Sequence, residues 1–237
     1  MEHKTLVGEN SFFNELQTIK KEENVIAGFL VKSFTNQLVY SLTSTTTQTG
    51  LNAIGTPLNQ TNPAYAAILA SHPYVGFSCS TRVTLFGEKY FAHYKPFIKQ
   101  FPTDANPRLY GTVFAASKCS LIQSKKAINQ AIDRVNQFII SFTLELYKHL
   151  ADQNIVSTVF VRTGNEFLYA LNTVPSSPST VVVGTILDHS NPAYALALNG
   201  QNFIGEVRLF GRKYFAKYKP YKIDGRVAGI FFAGVPL

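Results

Sequence analysis

The side chains that could support acid–base, nucleophilic or metal chemistry are few and scattered along the chain. The five histidines are His3, His72, His93, His149 and His189. No two of them stand at i and i+4 or at another spacing that is typical of metal ligands. The G-x-S-x-G, P-loop and G-x-G-x-x-G motifs are absent as well. We therefore predict no catalytic residue, no metal site and no cofactor, and hence a protein that is not an enzyme.

One histidine has a neighbour that would suit a base and its orienting group. Asp188 precedes His189 in the sequence LDHSNP. The matching residues of a similar segment earlier in the chain are Asn59 and Gln60, so the pair is not repeated. Two interpretations are kept: Asp188 or Ser190 caps the helix that follows, or His189 contacts a ligand.

Binding of a small molecule is better supported than catalysis, because tyrosines and cations recur together. A small anion needs Arg or Lys to offset its charge and hydroxyl groups to orient it. One such group, which has His189 beside it, comprises Tyr194, Arg208, Lys213, Tyr214 and Tyr218. A second group comprises Tyr65, Arg82, Lys89, Tyr90 and Tyr94. The alternative for each tyrosine is core packing, and for each cation a solvated sheet edge.

Alternation along the segment 212–219 divides the later group between two faces of a strand. One face carries Tyr214, Ala216 and Tyr218, and the other carries Lys213, Phe215 and Lys217. One face must meet a helix and the other the binding pocket, and the sequence leaves open which is which.

The two groups match because the chain contains an internal duplication. The segment 85–96, LFGEKYFAHYKP, returns as 209–220, LFGRKYFAKYKP, with ten of twelve positions identical. Each copy predicts two strands joined by a tight turn. A glycine in the first position of a two-residue loop favours Gly87-Glu88 and Gly211-Arg212 as the turn residues.

Each copy also predicts the same order of elements, namely two strands, a short helix and three further strands. A short helix over 10–24 precedes the first copy, and a long helix over 121–152 precedes the second. The first copy has extra residues near 78–81 and within 101–108, which belong in loops. We therefore predict an α+β fold of two tandem modules, residues 1–120 and 121–237. Each is a five-stranded antiparallel sheet with a preceding helix on one face.

The long helix carries an apolar stripe with two interpretations. Its members are Ile128, Ile132, Val135, Ile139, Phe142 and Leu146. The stripe could pack on the bare face of the second sheet, as the short helix would on the first. Alternatively, because the spacing suits a coiled coil, it could be the seam of a homodimer.

The net charge of +8 is spread along the chain without a block of like charges. Three explanations remain: a basic surface, attraction to an anionic small ligand, or attraction to an acidic membrane. Nucleic acid is not expected as a partner, because no recognition motif accompanies the charge. Cys79 and Cys119 leave a disulfide open. Without a signal core or an apolar run of about 18 residues, the chain as given is predicted to be soluble.

The second half resembles a known family in the order of its motifs. They are VFVRTGNEFLYAL (159–171), VGTILDHSNPAY (183–194), NFIGEVRLFGRKYFAKYKPY (202–221) and DGRVAGIFFAGVPL (224–237). This series is similar to the Cache sensor domains, and more narrowly to the Cache 3/Cache 2 fusion region of bacterial chemoreceptors and sensor kinases. The first half resembles it more loosely, because its loops are longer.

The resemblance implies a PAS-like sheet with a helix on one face and a ligand pocket on the other. It also implies a periplasmic or otherwise extracytoplasmic sensor of a small metabolite, such as a short carboxylate or amino acid. Such a sensor passes a conformational signal to a transmembrane helix that is missing from this sequence. The chain would then be either the sensor region of a longer receptor or a free-standing relative.

The sequence leaves open which module binds the ligand. Arg212 replaces Glu88 and Lys217 replaces His93, so an anionic ligand would favour the second module. In the family that this chain resembles, the membrane-distal module is usually the binder, which favours the first. The alternative function is a ligand-free interaction module built on the helix 121–152.

Overall fold

A computed structural model describes residues 9–78, 80–102, 104, 106–118, 125–174 and 182–237, without the side chains of 9–12 and 108. The first half contains α1 (Glu9–Glu23), β1 (Ile26–Lys32), β2 (Leu38–Thr43), α2 (Tyr65–Leu69), β3 (Tyr74–Gly76), β4 (Val83–Leu85), β5 (Glu88–Lys99) and β6 (Arg108–Lys118). The second half contains α3 (Lys125–Gln153), β7 (Val156–Thr163), β8 (Glu166–Asn172), α4 (Ala193–Leu198), β9 (Phe203–Leu209), β10 (Arg212–Ile223) and β11 (Arg226–Pro236). The predicted boundary between residues 120 and 121 lies outside the described residues, as do Cys79 and Cys119.

Each half forms an antiparallel sheet, as predicted for an α+β fold with two tandem modules. The second sheet has five strands in the order β8-β7-β11-β10-β9. The first has the order β2-β1-β6-β5-β3, and β4 pairs with β5 as a sixth strand. The extra strand arises because the insertion between Gly76 and Val83 splits the strand that corresponds to β9.

The duplication extends to the irregularities of the two sheets. The ladder between the first two strands is interrupted at Phe29/Leu30 in one module and at Val159/Phe160 in the other. The ladder between the last two strands is interrupted at Phe97/Ile98 in the first module and at Tyr221/Lys222 in the second. Because such bulges bend a strand, both sheets bend at the same places, and their residues can be compared position by position.

The hairpin turns lie one residue earlier than the sequence predicts. Leu85 pairs with Glu88 across the first hairpin, so the loop residues are Phe86-Gly87, with φ of 49° and 85°. The second hairpin repeats this with Phe210-Gly211. Two successive positive φ values match the right-handed twist of the flanking strands, as in a type I′ turn. The predicted pairs Gly87-Glu88 and Gly211-Arg212 were wrong because glycine takes the second loop position.

One apolar core lies between the two sheets and includes both long helices. The helix α3 packs on β1, β5 and β6 of the first sheet and on β7 of the second, and α1 packs on β1 and α3. The core contains Ile19 of α1, Ile139 of α3, Phe29 of the first sheet and Phe231 of the second. The long helix α3 therefore packs against both sheets, whereas the sequence predicted packing on the second sheet alone.

The apolar stripe of α3 is buried within its own chain. Its residues Ile128, Ile132, Val135, Ile139 and Leu146 are at most 2% exposed. Phe142 is half-buried and stacks on Phe138 with 6.3 Å between ring centroids. These side chains are already covered by the two sheets and by α1, so the predicted homodimer seam through Ile128–Leu146 is contradicted.

An ion-pair cluster also joins the two long helices. Arg134 of α3 lies 3.0 Å from carboxylate oxygens of Glu15, Glu22 and Glu23 of α1. This cluster fixes α1 against α3 at the edge of the shared core.

The two modules contact each other through equivalent residues. A Cβ on Gly55 would lie 2.0 Å from the carbonyl oxygen of Arg162, and a Cβ on Gly184 would lie 2.0 Å from that of Lys32. Gly55 corresponds to Gly184, and Lys32 corresponds to Arg162. The junction is therefore reciprocal, like the self-complementary interface of a two-fold dimer, and only glycine permits the approach.

Replacing Ile139 by alanine should lower the free energy of unfolding by about 2–5 kcal/mol. The reason is that Ile139 is fully buried in the core that both sheets share. Urea denaturation followed by circular dichroism would measure the change. The control is Leu144→Ala on the same helix, 48% exposed, with an expected change within about 0.5 kcal/mol. Equal effects of the two substitutions would contradict the shared core.

Candidate functional site

A cleft of about 570 Å³ opens on the first sheet, on the face away from α3. The loop between β2 and α2 forms one wall, and the hairpin of β4 and β5 forms the other. The wall that the loop supplies is polar, and its hydroxyl and amide residues are Thr47, Gln48, Thr49, Asn59, Thr61 and Asn62. The opposite wall supplies Arg82 and Phe86. Among the described residues that line the cleft there is no carboxylate, so Arg82 is not neutralised from within.

The mouth of the cleft depends on close contact between its two walls. The Gln48 side chain lies over Gly87, where a Cβ would come within 2.3 Å of Nε2. The neighbouring Phe86 reaches Tyr40 at 5.8 Å between ring centroids. Phe86 has a positive φ of 49°, an uncommon conformation for a bulky side chain. Phe210 of the second module has the same conformation, with φ of 47°, so the turn itself imposes it.

Among the residues that the structure describes, three buried polar atoms at this cleft lack a well-formed hydrogen bond. They are Tyr40 Oη, Tyr94 Oη and Asn62 Nδ2, on residues that are at most 5% exposed. Tyr40 and Asn62 line the cleft, while Tyr94 stacks on Phe114 beneath it. Each unpaired buried polar atom costs about 1–3 kcal/mol relative to a paired one. Three in one place therefore indicate a position that a polar ligand would complete.

The two tyrosines are neutral hydrogen-bonding groups at physiological pH. Burial raises the pKa of Tyr40 well above its ordinary value, and the adjacent Tyr94 and Tyr90 act in the same direction. Burial also raises the pKa of Tyr94, although hydrogen bonding from the Asn62 amide acts in the opposite direction. The Asn62 amide thus lies near the Tyr94 hydroxyl in a contact that is looser than a well-formed hydrogen bond. Neutral hydroxyls with a nearby Arg82 suit an anionic or strongly polar ligand.

The structure gives different roles to the candidates from the earlier group. Arg82 lines the cleft, and Tyr94 lies beside Asn62. The Tyr65 hydroxyl donates a hydrogen bond to the carbonyl oxygen of Asn36 at 2.8 Å, which ties α2 to the turn after β1. The Tyr90 hydroxyl donates to Glu88, which also pairs with Lys118. Lys89 is exposed on the opposite face of β5, so it does not join the others.

The second module has equivalent residues in a different hydrogen-bonding state. Tyr169, Asn191 and Tyr218 correspond to Tyr40, Asn62 and Tyr94. Here the Asn191 side chain donates a hydrogen bond to the Tyr218 hydroxyl at 3.2 Å. The asparagine and the tyrosine are therefore held together more tightly in the second module than in the first.

The cations predicted for the second site face away from its tyrosines. Arg208 pairs with Lys213 across β9 and β10, on the exposed face opposite to Tyr214 and Tyr218. Arg208 and Lys213 therefore do not share a site with those tyrosines, which corrects the predicted grouping. Lys217 follows the same alternation, so the difference between His93 and Lys217 does not bear on the pocket face. Arg212 instead shares the face of Tyr214, whose pKa burial raises and Arg212 lowers, as Glu88 shares the face of Tyr90.

His189 and Tyr194 form a separate cluster on the surface. The Tyr194 hydroxyl donates to the carbonyl oxygen of Asn165 at 2.6 Å, the same anchoring role that Tyr65 has. The His189 ring lies 4.4 Å from the Tyr194 ring, and its Nε2 lies 2.8 Å from Glu166 Oε2. The structure does not bring His189 to Tyr218.

The predicted helix cap at this cluster needs a correction. Asp188 Oδ1 accepts hydrogen bonds from the amide and hydroxyl of Ser190, and these bonds lower the pKa of Asp188. It is Asn191 Oδ1 that accepts from the amide of Ala193, at the start of α4. Neither Asp188 nor Ser190 is therefore the cap.

Two important residues of the cleft were missed from the sequence. Neither Tyr40 nor Asn62 is among the predicted site residues. The duplication carried the signal for both, since LVYSLT aligns with FLYALN and both copies contain NPAY. A tyrosine repeated at one strand position favours a shared role beyond core filling.

The described part of the chain contains no group of three or more His, Cys, Asp or Glu side chains that could hold a metal ion. Among the same residues, no helix is long and apolar enough to cross a membrane.

Comparison with known proteins agrees with the fold. The model of the Cache 3/Cache 2 fusion domain matches residues 9–132 and 147–237. One similar solved structure is the ligand-binding domain of the Pseudomonas aeruginosa amino acid chemoreceptor PctC in complex with GABA. It is 14% identical, with coverage of 92% of this chain and 76% of that one, and a TM-score of 0.27. Another is the sensor region of a sensor histidine kinase, 12% identical, with coverage of 96% and 89% and a TM-score of 0.27.

No curated protein matches the sequence. The family match nevertheless covers nearly the whole of both modules, and the two antiparallel sheets with their interposed helices agree with it. The chain belongs to the Cache 3/Cache 2 fusion domain family of sensor domains.

Proposed function

We propose that the cleft of the first module binds a small anionic metabolite, such as a short carboxylate or an amino acid, and that the second module receives the resulting signal. The observation that carries this proposal is the set of unpaired buried atoms on Tyr40, Asn62 and Tyr94 beside Arg82. A carboxylate could accept from both hydroxyls and the amide while pairing with the guanidinium. As part of this proposal, the chain works outside the cytoplasm, as sensor regions of its family do.

The comparison of the two modules favours the first as the binding module. In the second module, Asn191 and Tyr218 are already hydrogen bonded to each other. A ligand there would have to break this bond, whereas in the first module it would supply a missing one. The alternative of a ligand-free interaction module loses its support, because the stripe on α3 is buried within the chain.

The loop between β2 and α2 supports transmission to the second module. Thr47–Thr49 and Pro57–Asn59 line the cleft, and the stretch between them touches the turn of β10 and β11. The amide of Asn52 donates to Asp224 Oδ2 at 2.6 Å, and Arg226 donates to the Asn52 carbonyl oxygen at 3.3 Å. A movement of the loop toward a ligand would therefore pull on the turn that begins β11.

The unpaired hydroxyl of Tyr94 predicts an unusual stability change. Tyr94→Phe should leave the ligand-free protein equally stable or more stable, because it removes a buried group that lacks a partner. The matched control, Tyr218→Phe, should lower the free energy of unfolding by about 0.5–1.5 kcal/mol, because it removes the bond from Asn191. Thermal denaturation without ligand measures both. Clear destabilisation by Tyr94→Phe would show that its hydroxyl is paired.

Ligand binding should depend on Arg82. A thermal-shift screen of organic acids and amino acids should identify a ligand, which stabilises the protein by about 2.7 kcal/mol at 100 times its Kd. Loss of a charge-assisted hydrogen bond of about 1.5–3 kcal/mol should make Arg82→Gln bind that ligand about 10- to 100-fold more weakly. Lys89→Gln, on the other face of the same hairpin, should bind normally in calorimetry. A ligand whose affinity survived Arg82→Gln would rule out this assignment.

Coupling between the modules should depend on the hydrogen bonds to Asn52. In hydrogen-exchange mass spectrometry, the screened ligand should slow exchange in both 44–59 and 222–228. In the double variant Asp224→Ala/Arg226→Ala, protection of 44–59 should remain while that of 222–228 is lost, because the contact between them is gone. Glu206→Ala, on a neighbouring strand of the second module, serves as the control. Unchanged protection of 222–228 in the double variant would exclude this route.

A further inference from the structure

An exposed face of the second sheet combines apolar and cationic side chains. It comprises Ile204, Glu206 and Arg208 of β9, Lys213, Phe215 and Lys217 of β10, and Val235 and Leu237 at the end of β11. We call this set the β9–β11 face. Its apolar members are unusually open: Phe215 is 52% exposed, Ile204 62% and Val235 44%. It lies opposite to the tyrosine face and is therefore separate from the pocket side of this sheet.

The first module covers the corresponding face with α3. Phe91, the counterpart of Phe215, packs against the shared core. His93, the counterpart of Lys217, has its Nδ1 3.0 Å from Asn129 Oδ1 of α3. The ammonium group of Lys125 lies 5.6 Å from the ring centre of Phe77. Within the described residues of the second module, no helix takes this position over Phe215, so the same strand pattern is left open.

The charges of the β9–β11 face are unbalanced. Lys213 stands directly opposite Arg208, and like charges at such cross-strand positions repel each other. Arg208 donates a hydrogen bond to the Gly211 carbonyl oxygen, which does not neutralise either charge. Among the described residues, no carboxylate forms an ion pair with Lys213 or Lys217, and Glu206 is the only acid on the face. A partner must therefore be anionic if it is to relieve this repulsion.

The arrangement of side chains distinguishes between kinds of anionic partner. Cross-strand pairing places Lys217 beside Ile204, Phe215 beside Val235, and Lys213 beside Arg208. Cations and apolar groups thus alternate, whereas the core of a protein–protein interface is depleted of charge. A second copy of this face would bring its cations against each other. A bilayer offers anionic headgroups for the cations and an acyl boundary for Phe215 and its neighbours.

We propose that the β9–β11 face docks on an anionic lipid bilayer, with the cations at the headgroups and Phe215, Ile204 and Val235 at the acyl boundary. This inference is independent of the cleft in the first module, because none of these residues lines that cleft.

Co-sedimentation with vesicles tests the proposal on the full chain. Binding to vesicles of phosphatidylcholine mixed with phosphatidylglycerol should exceed binding to phosphatidylcholine alone, and should weaken as salt shortens the Debye length. Each neutralised cation should weaken the partition coefficient about fivefold, so Lys213→Gln/Lys217→Gln should lose about 25-fold. Phe215→Ser should weaken binding further at high salt. Lys89→Gln, the counterpart of Lys213 in the first module, is the matched control and should bind normally.

Three results would overturn the proposal. The first is equal binding to the neutral and anionic vesicles. The second is an equal loss in Lys89→Gln and Lys213→Gln, since binding would then follow net charge rather than this face. The third is binding to soluble polyglutamate but not to vesicles, with dependence on Lys213 and Phe215, since that would assign the face to an acidic protein partner. The variants should keep the wild-type thermal unfolding midpoint, because each substituted side chain lies on the surface.

Discussion

The burial of one helix between two sheets is the constraint on which the rest of the structure depends. The side chains of α3 are covered by strands of both modules, so one face of each sheet is committed to the shared core. The opposite faces, with their loops, are left to form pockets, and the β9–β11 face is the part of the core side of the second sheet that the described helices leave uncovered. The hydrophobic energy of this core, about 25 cal/mol for each Å² of apolar surface removed from water, also allows unfavourable polar arrangements elsewhere. The unpaired atoms of Tyr40, Asn62 and Tyr94 are such an arrangement.

The duplication allows equivalent residues of the two modules to be compared directly. Both contain an asparagine at the start of the short helix and a tyrosine on the long hairpin strand. The contact between them is a well-formed hydrogen bond in the second module and a looser one in the first. The residues are identical, so the difference arises from their surroundings. The proposed binding capacity of the first module thus rests on local geometry rather than on a residue that the second module lacks.

The sequence predicted the tandem sheets, most of the strands and the short and long helices that correspond to α1 and α3, because those features follow from periodicity and from the duplication. It predicted the wrong hairpin turn, because Phe86 adopts a positive φ that its bulk disfavours and that the twist of the strands imposes. It assigned Arg208 and Lys213 to a binding site because alternation separates two faces without identifying either one. The environment of Asn62 could not be predicted, since whether its amide meets Tyr94 depends on small displacements between a loop and a strand.

The long hairpin strand is β5 in the first module and β10 in the second. Its two faces have different surroundings, because successive side chains point to opposite sides of the sheet. In the first module, Tyr94 lies buried beneath the cleft, while the opposite face is covered by α3. In the second, Tyr218 is already satisfied by Asn191, while the opposite face is open and cationic. The difference between His93 and Lys217 falls on this second face, whereas Glu88 and Arg212 lie on the tyrosine face near the hairpin turn. One repeated motif therefore presents a covered face in the first module and an uncovered cationic face in the second, which is the basis of the two proposals made for it.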